Sequence, residues 1–209
     1  MKQKLLIVGA GSVGKFIAYN IEKFIQEFEI IGFLDDDVSK HNTIIAGVKV
    51  LGSVSLLEEY SNKNIAIVWG IAFPYIKKKL AKKYEHLQFD YPNFISKNAW
   101  ISNGVNFGRG CIIYPGCSIN YETKIDDFVV MNMNCAIGHN CTIGLFTSLS
   151  PGVNLGGNTT IGNEVELGIG CATLQGVSIG DNVRVGGQAM VTKALAKNQV
   201  VLGIPAKSI

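Results

Sequence analysis

The 209-residue sequence carries little charge and contains no long apolar run. Charged residues make up 17% of the chain and hydrophobic residues 47%, a balance that argues against disorder and favours a well-buried fold. The net charge of +3 is too small to indicate a nucleic-acid-binding surface. Because no stretch of about eighteen apolar residues occurs, no membrane insertion is expected.

The opening segment, MKQKLLIVGAG, passes within a few residues into an apolar strand and a glycine turn. A secretory signal peptide would need a longer apolar region followed by a cleavage site. We therefore expect a cytoplasmic protein.

A strict six-residue repeat runs from Ile95 to Val191 without insertion or deletion. Its first ladder is apolar at every step except Thr173, and its members are Ile95, Ile101, Phe107, Ile113, Ile119, Ile125, Met131, Ile137, Ile143, Leu149, Leu155, Ile161, Leu167, Thr173, Ile179, Val185 and Val191. A second ladder of small or β-branched residues follows each of these positions by four residues, from Ala99 to Ala189.

A period of six fits neither an amphipathic helix nor an alternating strand. It is typical of a parallel β-helix, in which short flat faces alternate with corners and stacked coils share one core. In this interpretation the first ladder fills the interior, and the second occupies positions where space is tight and β-branching is favoured.

All five cysteines lie on the second ladder, which favours packing over chemistry. A buried thiol behaves there as a small hydrophobe. Zinc binding would need clustered ligands and disulfides an oxidising compartment, so no metal site is expected. The members are Cys111, Cys117, Cys135, Cys141 and Cys171.

The first ninety residues predict half of a doubly wound sheet. A strand at 4–8 leads into the turn GAGSVG, a helix at 15–26 and a second strand at 29–34 that ends in three aspartates. This is a βαβ unit with a G-x-G-x-x-G turn, whose glycines let backbone N–H groups approach a phosphate at a helix N-terminus. A dinucleotide site, a sugar-nucleotide site and a plain tight turn all fit this pattern. About ninety residues are too few for a complete two-halved dinucleotide domain.

Further elements are predicted as a helix at 53–60, a strand at 65–69, a helix at 74–84 and a short strand near Phe89. The basic run on the last helix is interpreted as a solvated face, with a diphosphate contact open for Lys77 or Lys78. We expect a Rossmann-like domain over residues 1–93 and a β-helix with a closing C-terminal segment over residues 94–209.

Nearly the whole chain resembles the hexapeptide-repeat sugar acyltransferases that carry a small N-terminal sugar-nucleotide domain. The group includes the N-acetyltransferase of the UDP-N-acetylbacillosamine pathway and the sialic acid O-acetyltransferases. The resemblance is carried by GAGSVG, FLDDD, GHNCTIG, SPGVNLGGN and GIPAK. It implies a left-handed β-helix with three hexads per eighteen-residue coil, although the usual crossover rule would predict the opposite hand. It also implies acetyl-CoA as co-substrate and a homotrimer with active sites between neighbouring helices.

Residue roles follow from the same resemblance. His139 would be the general base, and Gly157 would offer its amide to the acetyl carbonyl in the coenzyme groove. Gly187 would line that groove, and Asn132 would lie near the acceptor sugar. In the N-terminal domain Gly11, Ser12 and Gly14 would face a diphosphate, with Asp35 and Asp36 at the base and ribose.

His139 is the only histidine of the repeat region, and the eighteen-residue coil predicts its neighbours. Tyr121 would lie beside it on one side and Gly157 on the other, each about 4.8 Å away. An imidazole next to a backbone N–H is the arrangement that acyl transfer requires. A surface histidine on an inert scaffold is the alternative.

The chain departs from the family pattern at two points of the site. The catalytic histidine is usually followed by an acid, whereas Asn140 follows His139, and Glu122, stacked against Asn140, is our substitute. Ser148 stands where some members carry another histidine, and it is a candidate acceptor contact.

We expect acetyl transfer from acetyl-CoA to the amine of a nucleotide-linked amino sugar in bacterial surface-glycan synthesis. Two alternatives stay open. One is O-acetylation of a sugar hydroxyl of the sialic acid type. The other is a non-catalytic β-helical scaffold that binds a dinucleotide such as NAD.

Overall fold

The computed structural model describes residues 2–61 and 63–209. The chain divides into two compact units, Met1–Ala72 with Ile76–Phe94 and Phe73–Tyr75 with Ile95–Ile209. Within the described residues, no helix combines the length and hydropathy that a membrane span requires.

The first unit is an α/β half-sheet, as the sequence predicts. Its strands are β1 (Gln3–Val8), β2 (Phe28–Leu34), β3 (Ile44–Ile45), β4 (Val48–Gly52) and β5 (Ile65–Trp69). They lie in the order β3-β4-β2-β1-β5, parallel except for β3. The α-helices are α1 (Ser12–Tyr19), α2 (Leu57–Tyr60) and α3 (Pro74–Lys83). Short 3₁₀ turns occupy Ile21–Lys23, Val38–Lys40, Val54–Leu56 and Glu85–Leu87.

Two local predictions for this unit were wrong, and one hairpin was not predicted. The first helix ends at Tyr19, not near residue 26, and the Asn20 side chain donates to the Phe16 carbonyl there. The strand predicted near Phe89 is an isolated bridge. The β3–β4 hairpin was missed, although Ala46 and Gly47, both at positive φ, form the kind of two-residue turn that joins such strands.

The second unit is a left-handed parallel β-helix, as predicted. Its strands are β6 (Phe94–Ile95), β7 (Trp100–Ile101), β8 (Asn106–Phe107), β9 (Ile112–Ile113), β10 (Ser118–Ile119), β11 (Lys124–Ile125), β12 (Val130–Met131), β13 (Ala136–Ile137), β14 (Thr142–Ile143), β15 (Ser148–Leu149), β16 (Asn154–Leu155), β17 (Thr160–Ile161), β18 (Glu166–Leu167), β19 (Ala172–Thr173), β20 (Ser178–Ile179), β21 (Arg184–Val185), β22 (Met190–Val191), β23 (Val200–Leu202) and β24 (Lys207–Ser208).

These strands stack into three faces. Face 1 contains β7, β10, β13, β16, β19 and β22, face 2 contains β8, β11, β14, β17 and β20, and face 3 contains the remaining strands from β6 to β24. Up to β22, each strand pairs with strands eighteen residues away, for example Ile119 with Ile137, whereas Val185 of β21 pairs with Val201 of β23. The β23–β24 pair closes face 3, with β24 antiparallel to β23.

The two ladders fill the interior of the β-helix. Ile113, Ile143, Leu149 and Val165 are at most 1% exposed. All five cysteines are free and buried, which confirms their packing role. Burial raises the pKa of the Cys171 thiol to about 12, so this group stays protonated at neutral pH.

Residues in the left-handed conformation mark the corners between the faces. Glu122, Asn140 and Asn158 occupy equivalent corner positions of three successive coils, and all have φ between 54° and 57°. Asparagine tolerates this left-handed conformation better than most residues. Three left-handed residues in register thus fix one outer edge, on which the candidate site lies.

We predict that Leu149→Ala lowers the free energy of unfolding by about 2–5 kcal/mol, because the shorter side chain leaves a cavity inside a closely packed core. The matched control is Thr160→Ala on the exposed side of β17, which should stay within about 0.5 kcal/mol of the parent. Urea denaturation at one protein concentration measures both, and equal losses would contradict the interior placement.

Candidate active site

The predicted catalytic residues meet at the corner between faces 1 and 2. The His139 ring lies between Tyr121 in one neighbouring coil and Gly157 in the other. The Tyr121 and His139 rings stack with centroids 5.3 Å apart and planes 12° apart. On the opposite side, a Cβ placed on Gly157 would lie 2.8 Å from His139 Nε2, so a side chain there would have to displace the ring. The ring is therefore held in one plane by contacts on both faces.

A hydrogen-bond relay behind the ring fixes which of its nitrogens carries the proton. Asn140 Nδ2 donates to Glu122 Oε2 at 2.5 Å, and His139 Nδ1 lies 2.8 Å from Asn140 Oδ1. A carboxylate only accepts, so the Asn140 amide nitrogen must face Glu122 and its oxygen must face the ring. Nδ1 then carries the hydrogen of the neutral imidazole. The lone pair lies on Nε2, the atom next to Gly157.

The Gly157 amide is open. At some equivalent corner positions a side-chain oxygen caps the outward N–H, as when Leu145 N donates to Asn163 Oδ1 at 2.9 Å. Asp127 and Asp181 cap Arg109 and Asn163 in the same way. No acceptor among residues 2–61 and 63–209 takes the Gly157 N–H. A bare imidazole nitrogen and an uncapped amide thus lie side by side on the outer surface.

Three other predicted residues lie away from this corner within one chain. Asn132 and Gly187 each follow a strand of face 3, so they lie along the corner between faces 3 and 1. Ser148 lies in β15 of face 3 and pairs with Val130 and Glu166. Asn132 Oδ1 caps the Met133 N–H at 2.8 Å. The structure does not bring these residues to His139 within a single chain.

The glycine turn of the first unit is built for close packing. A Cβ on Gly14 would lie 1.9 Å from the Gly9 carbonyl oxygen, and the Gly14 N–H donates to Gly70 O at 3.2 Å. Gly14 is buried and its amide is already used, so the structure does not support its predicted diphosphate contact. Gly11 and Ser12 are exposed at the start of α1, where no side chain caps the helix.

Asp35 braces this turn. Its Oδ2 accepts from Ala10 N at 2.7 Å and from Lys40 Nζ at 3.1 Å, and its Oδ1 accepts from Asp37 N at 2.9 Å. Burial alone would raise the pKa of Asp35, but these hydrogen bonds hold it below its usual value. Asp36 is exposed and accepts from Val54 N at 2.9 Å. Contacts of either carboxylate with a base or ribose stay predictions.

The basic run on α3 is solvated except at one position. Lys78, Lys79, Lys82 and Lys83 are exposed, whereas Lys77 is 1% exposed. Lys77 lies on the buried side of α3, so the prediction of a solvated face was wrong there. Among the described residues, no group of three or more His, Cys, Asp and Glu side chains could hold a metal ion.

Comparison with known proteins identifies the N-terminal unit. Residues 4–84 match the family described as the PglD N-terminal domain. A comparison with curated proteins finds no match.

Solved structures resemble the whole chain. The acetyltransferase domain of PglB from Neisseria gonorrhoeae FA1090, in complex with acetyl coenzyme A, is 28% identical, with a TM-score of 0.92 over 100% of both chains. PerB from Caulobacter crescentus, in complex with CoA and GDP-perosamine, is 25% identical, with a TM-score of 0.91 over 99% of this chain and 97% of that chain. That enzyme, a GDP-perosamine N-acetyltransferase, has also been solved with one histidine replaced by Ala or Asn.

WeeI from Acinetobacter baumannii AYE is 24% identical, with a TM-score of 0.85 over 99% of this chain and 100% of that chain, and supports the fold alone. The β-helix, the PglD-type N-terminal domain and the full-length similarity to acetyltransferase structures lead to one conclusion. The chain is an acyltransferase with a hexapeptide-repeat β-helix, and over its full length it resembles acetyltransferase structures such as those of PglB and PerB.

Proposed function

We propose that this protein transfers an acetyl group from acetyl-CoA to the amine of a nucleotide-linked amino sugar, with His139 as general base. The observation that carries the proposal is the relay from Glu122 through Asn140 to His139, which leaves the Nε2 lone pair beside the open Gly157 amide. The similar PglB structure contains acetyl-CoA, and the PerB structure contains CoA and GDP-perosamine.

The chemistry divides between two groups of this chain. The neutral amine attacks the thioester carbonyl carbon, and Nε2 of His139 takes a proton from the nitrogen as the C–N bond forms. The Gly157 N–H donates to the carbonyl oxygen as it gains negative charge. The C–S bond then breaks, the carbonyl reforms, and the imidazolium returns the proton to the departing thiolate. The products are an amide and free CoA.

Glu122 supplies the negative charge that a following acid would supply elsewhere in the family. When His139 is protonated, its Nδ1–H donates to Asn140 Oδ1, and the Glu122 carboxylate polarises that amide from behind. The charge acts through one extra side chain, so the effect on the imidazolium is weaker than direct contact would give.

Features of the N-terminal unit support this acceptor class. Exposed N–H groups at the uncapped start of α1, around Gly11 and Ser12, suit a diphosphate. Asp36, exposed at the end of β2, suits a ribose hydroxyl or a base edge. A nucleoside-diphosphate-linked amino sugar has both features, and surface-glycan synthesis is where bacteria use such substrates.

The two alternatives make different predictions. Transfer to a sugar hydroxyl would release CoA with hydroxyl acceptors and yield an ester, which hydroxylamine cleaves and an amide resists. A dinucleotide-binding scaffold would bind NAD without releasing CoA from acetyl-CoA.

A homotrimer would join the residues that one chain keeps apart. Asn132 and Gly187 lie along the corner between faces 3 and 1, whereas His139 lies along the corner between faces 1 and 2. If the first corner of one copy lies against the second corner of its neighbour, acceptor and coenzyme contacts reach the base from another chain.

We expect His139→Ala to lower kcat by about 10²–10⁴-fold with little change in thermal stability, because a partly exposed general base is lost. Glu122→Gln should lower kcat less, since the amide oxygen still accepts from Asn140 but the charge is gone. CoA release with acetyl-CoA and a panel of nucleotide-linked amino sugars measures both. His86→Ala, an exposed histidine of the first unit, is the control. Near-normal turnover of His139→Ala would refute the proposed base.

Gly157→Ala should lower kcat on the order of tenfold or more, because the new methyl would lie 2.8 Å from Nε2 and force the ring off its stack on Tyr121. Gly47→Asn is the matched control, a glycine with open space at a turn where asparagine is tolerated. Steady-state kinetics and the Tm decide the outcome. Wild-type kcat in Gly157→Ala would contradict the contact.

Mixed oligomers test the shared site. Co-expressed His139→Ala and Gly187→Trp chains should recover activity that neither variant has alone, because an intact base and an intact groove then meet at some interfaces. Native mass spectrometry verifies that trimers of mixed composition form. Inactive mixed trimers would show that each chain completes its own site.

A further inference from the structure

The only break in the apolar ladder lies directly behind the Gly157 amide. Thr173 is 7% exposed at a position where every other residue from Ile95 to Val191 is apolar. Its hydroxyl lies 3.1 Å from that of Thr159, which is 0% exposed. These two neighbouring buried hydroxyls need hydrogen-bond partners, and both bond to the backbone of Gly156.

The backbone hydrogen bond between neighbouring coils is replaced at Gly156. At the other positions that follow a first-ladder residue, from Ser96 to Gly186, the N–H donates to the ladder carbonyl of the next coil, as Gly138 N does to Leu155 O at 2.9 Å. Gly156 N donates instead to Thr173 Oγ1 at 3.1 Å. The pairing of β16 with β19 is accordingly reduced to Asn154 with Ala172.

Thr159 also departs from its equivalents. Thr123 and Thr147, on the same second ladder, donate to the carbonyl fifteen residues ahead at 3.0 and 2.9 Å. The corresponding carbonyl for Thr159 belongs to Leu174 and lies 3.5 Å away. Thr159 Oγ1 donates instead to the Gly156 carbonyl oxygen at 2.6 Å.

The proton positions follow from these distances. Thr159 has one hydrogen, and its shortest contact, the Gly156 carbonyl, takes it. The bond between the two hydroxyls must then be donated by Thr173, whose oxygen accepts from Gly156 N. The Gly156 carbonyl and the Gly157 N–H belong to the same peptide unit. Hydrogen bonds thus run from Thr173 to Thr159, to the Gly156 carbonyl and, through the peptide, to the Gly157 N–H.

We propose that Thr159 and Thr173 are positioning residues that aim and polarise the Gly157 amide for the acyl oxyanion. The inference rests on the proposed function of that amide. Hydrogen bonds to both the N–H and the carbonyl of Gly156 fix the direction of the Gly157 N–H. A hydrogen bond to a peptide carbonyl also strengthens the donor at the other end of the same peptide, because bonds in a chain polarise one another.

Thr173→Val gives the sharpest test, because it restores an unbroken apolar ladder and lets Gly156 N donate to the backbone as its equivalents do. The variant should keep or raise the wild-type Tm, lower kcat about tenfold and leave both KM values near wild type. That loss is smaller than the 10²–10³-fold loss on removal of an oxyanion donor. Thr173→Ser, which keeps the hydroxyl, should recover most of the loss.

Thr147→Val is the matched control. It removes a buried threonine hydroxyl of the same ladder, whose partner, Gly162 O, lies at another corner. We expect it to lower Tm and leave kcat unchanged. A wild-type kcat in Thr173→Val, or equal kcat losses in the two valine variants, would overturn the proposal.

A readout independent of turnover separates this inference from the proposed function. In protein labelled with ¹⁵N-glycine, the Gly157 amide proton should move upfield in Thr173→Val and stay in place in Thr147→Val. If His139→Ala proves fully active, the acetyl-transfer mechanism fails, yet this amide shift still decides whether the threonines set the peptide. An unchanged Gly157 resonance in Thr173→Val would refute the positioning role.

Discussion

The eighteen-residue register of the β-helix is the constraint on which the active site depends. It places the ring of His139 between Tyr121 and Gly157, and it brings the side chain of Asn140 to that of Glu122. None of these contacts arises from local sequence. A single inserted residue within a coil would turn the following residues away from their neighbours, so the strictness of the repeat is a requirement of the chemistry as well as of the core.

Periodicity made much of this predictable. A repeat without gaps gives the interior ladders and, with the coil length that the resemblance implies, the neighbours of His139 by counting. It does not give hydrogen-bond direction. In sequence, Asn140 is a departure from the family pattern that weakens the base. The structure gives it a bridging role, because its amide can donate to Glu122 and accept from the ring at once. That outcome depends on side-chain rotamers, which spacing does not specify.

The N-terminal unit was harder to predict, because its elements are short and depend on tertiary contacts. Hydrophobic periodicity does not predict that the first helix ends at Tyr19. Nor does it predict that Lys77 is buried in a run of otherwise exposed lysines. The family resemblance predicted diphosphate contacts for Gly11, Ser12 and Gly14 of the glycine motif. Gly14 is buried in close contact with the Gly9 backbone, so the exposed Gly11 and Ser12 are the remaining candidates for diphosphate contacts. One motif thus serves both the fold and a candidate ligand site.

The central claim is that Nε2 of His139 carries the lone pair because Asn140 and Glu122 hold the proton on Nδ1. Nitrogen-15 NMR of ring-labelled histidine measures this directly, by assigning the tautomer of the neutral His139 imidazole at alkaline pH. The account predicts a protonated Nδ1 and a bare Nε2, and it predicts that Asn140→Leu removes this preference. A neutral ring with its proton on Nε2 would contradict the account, since the atom next to Gly157 could then not accept a proton from the acceptor.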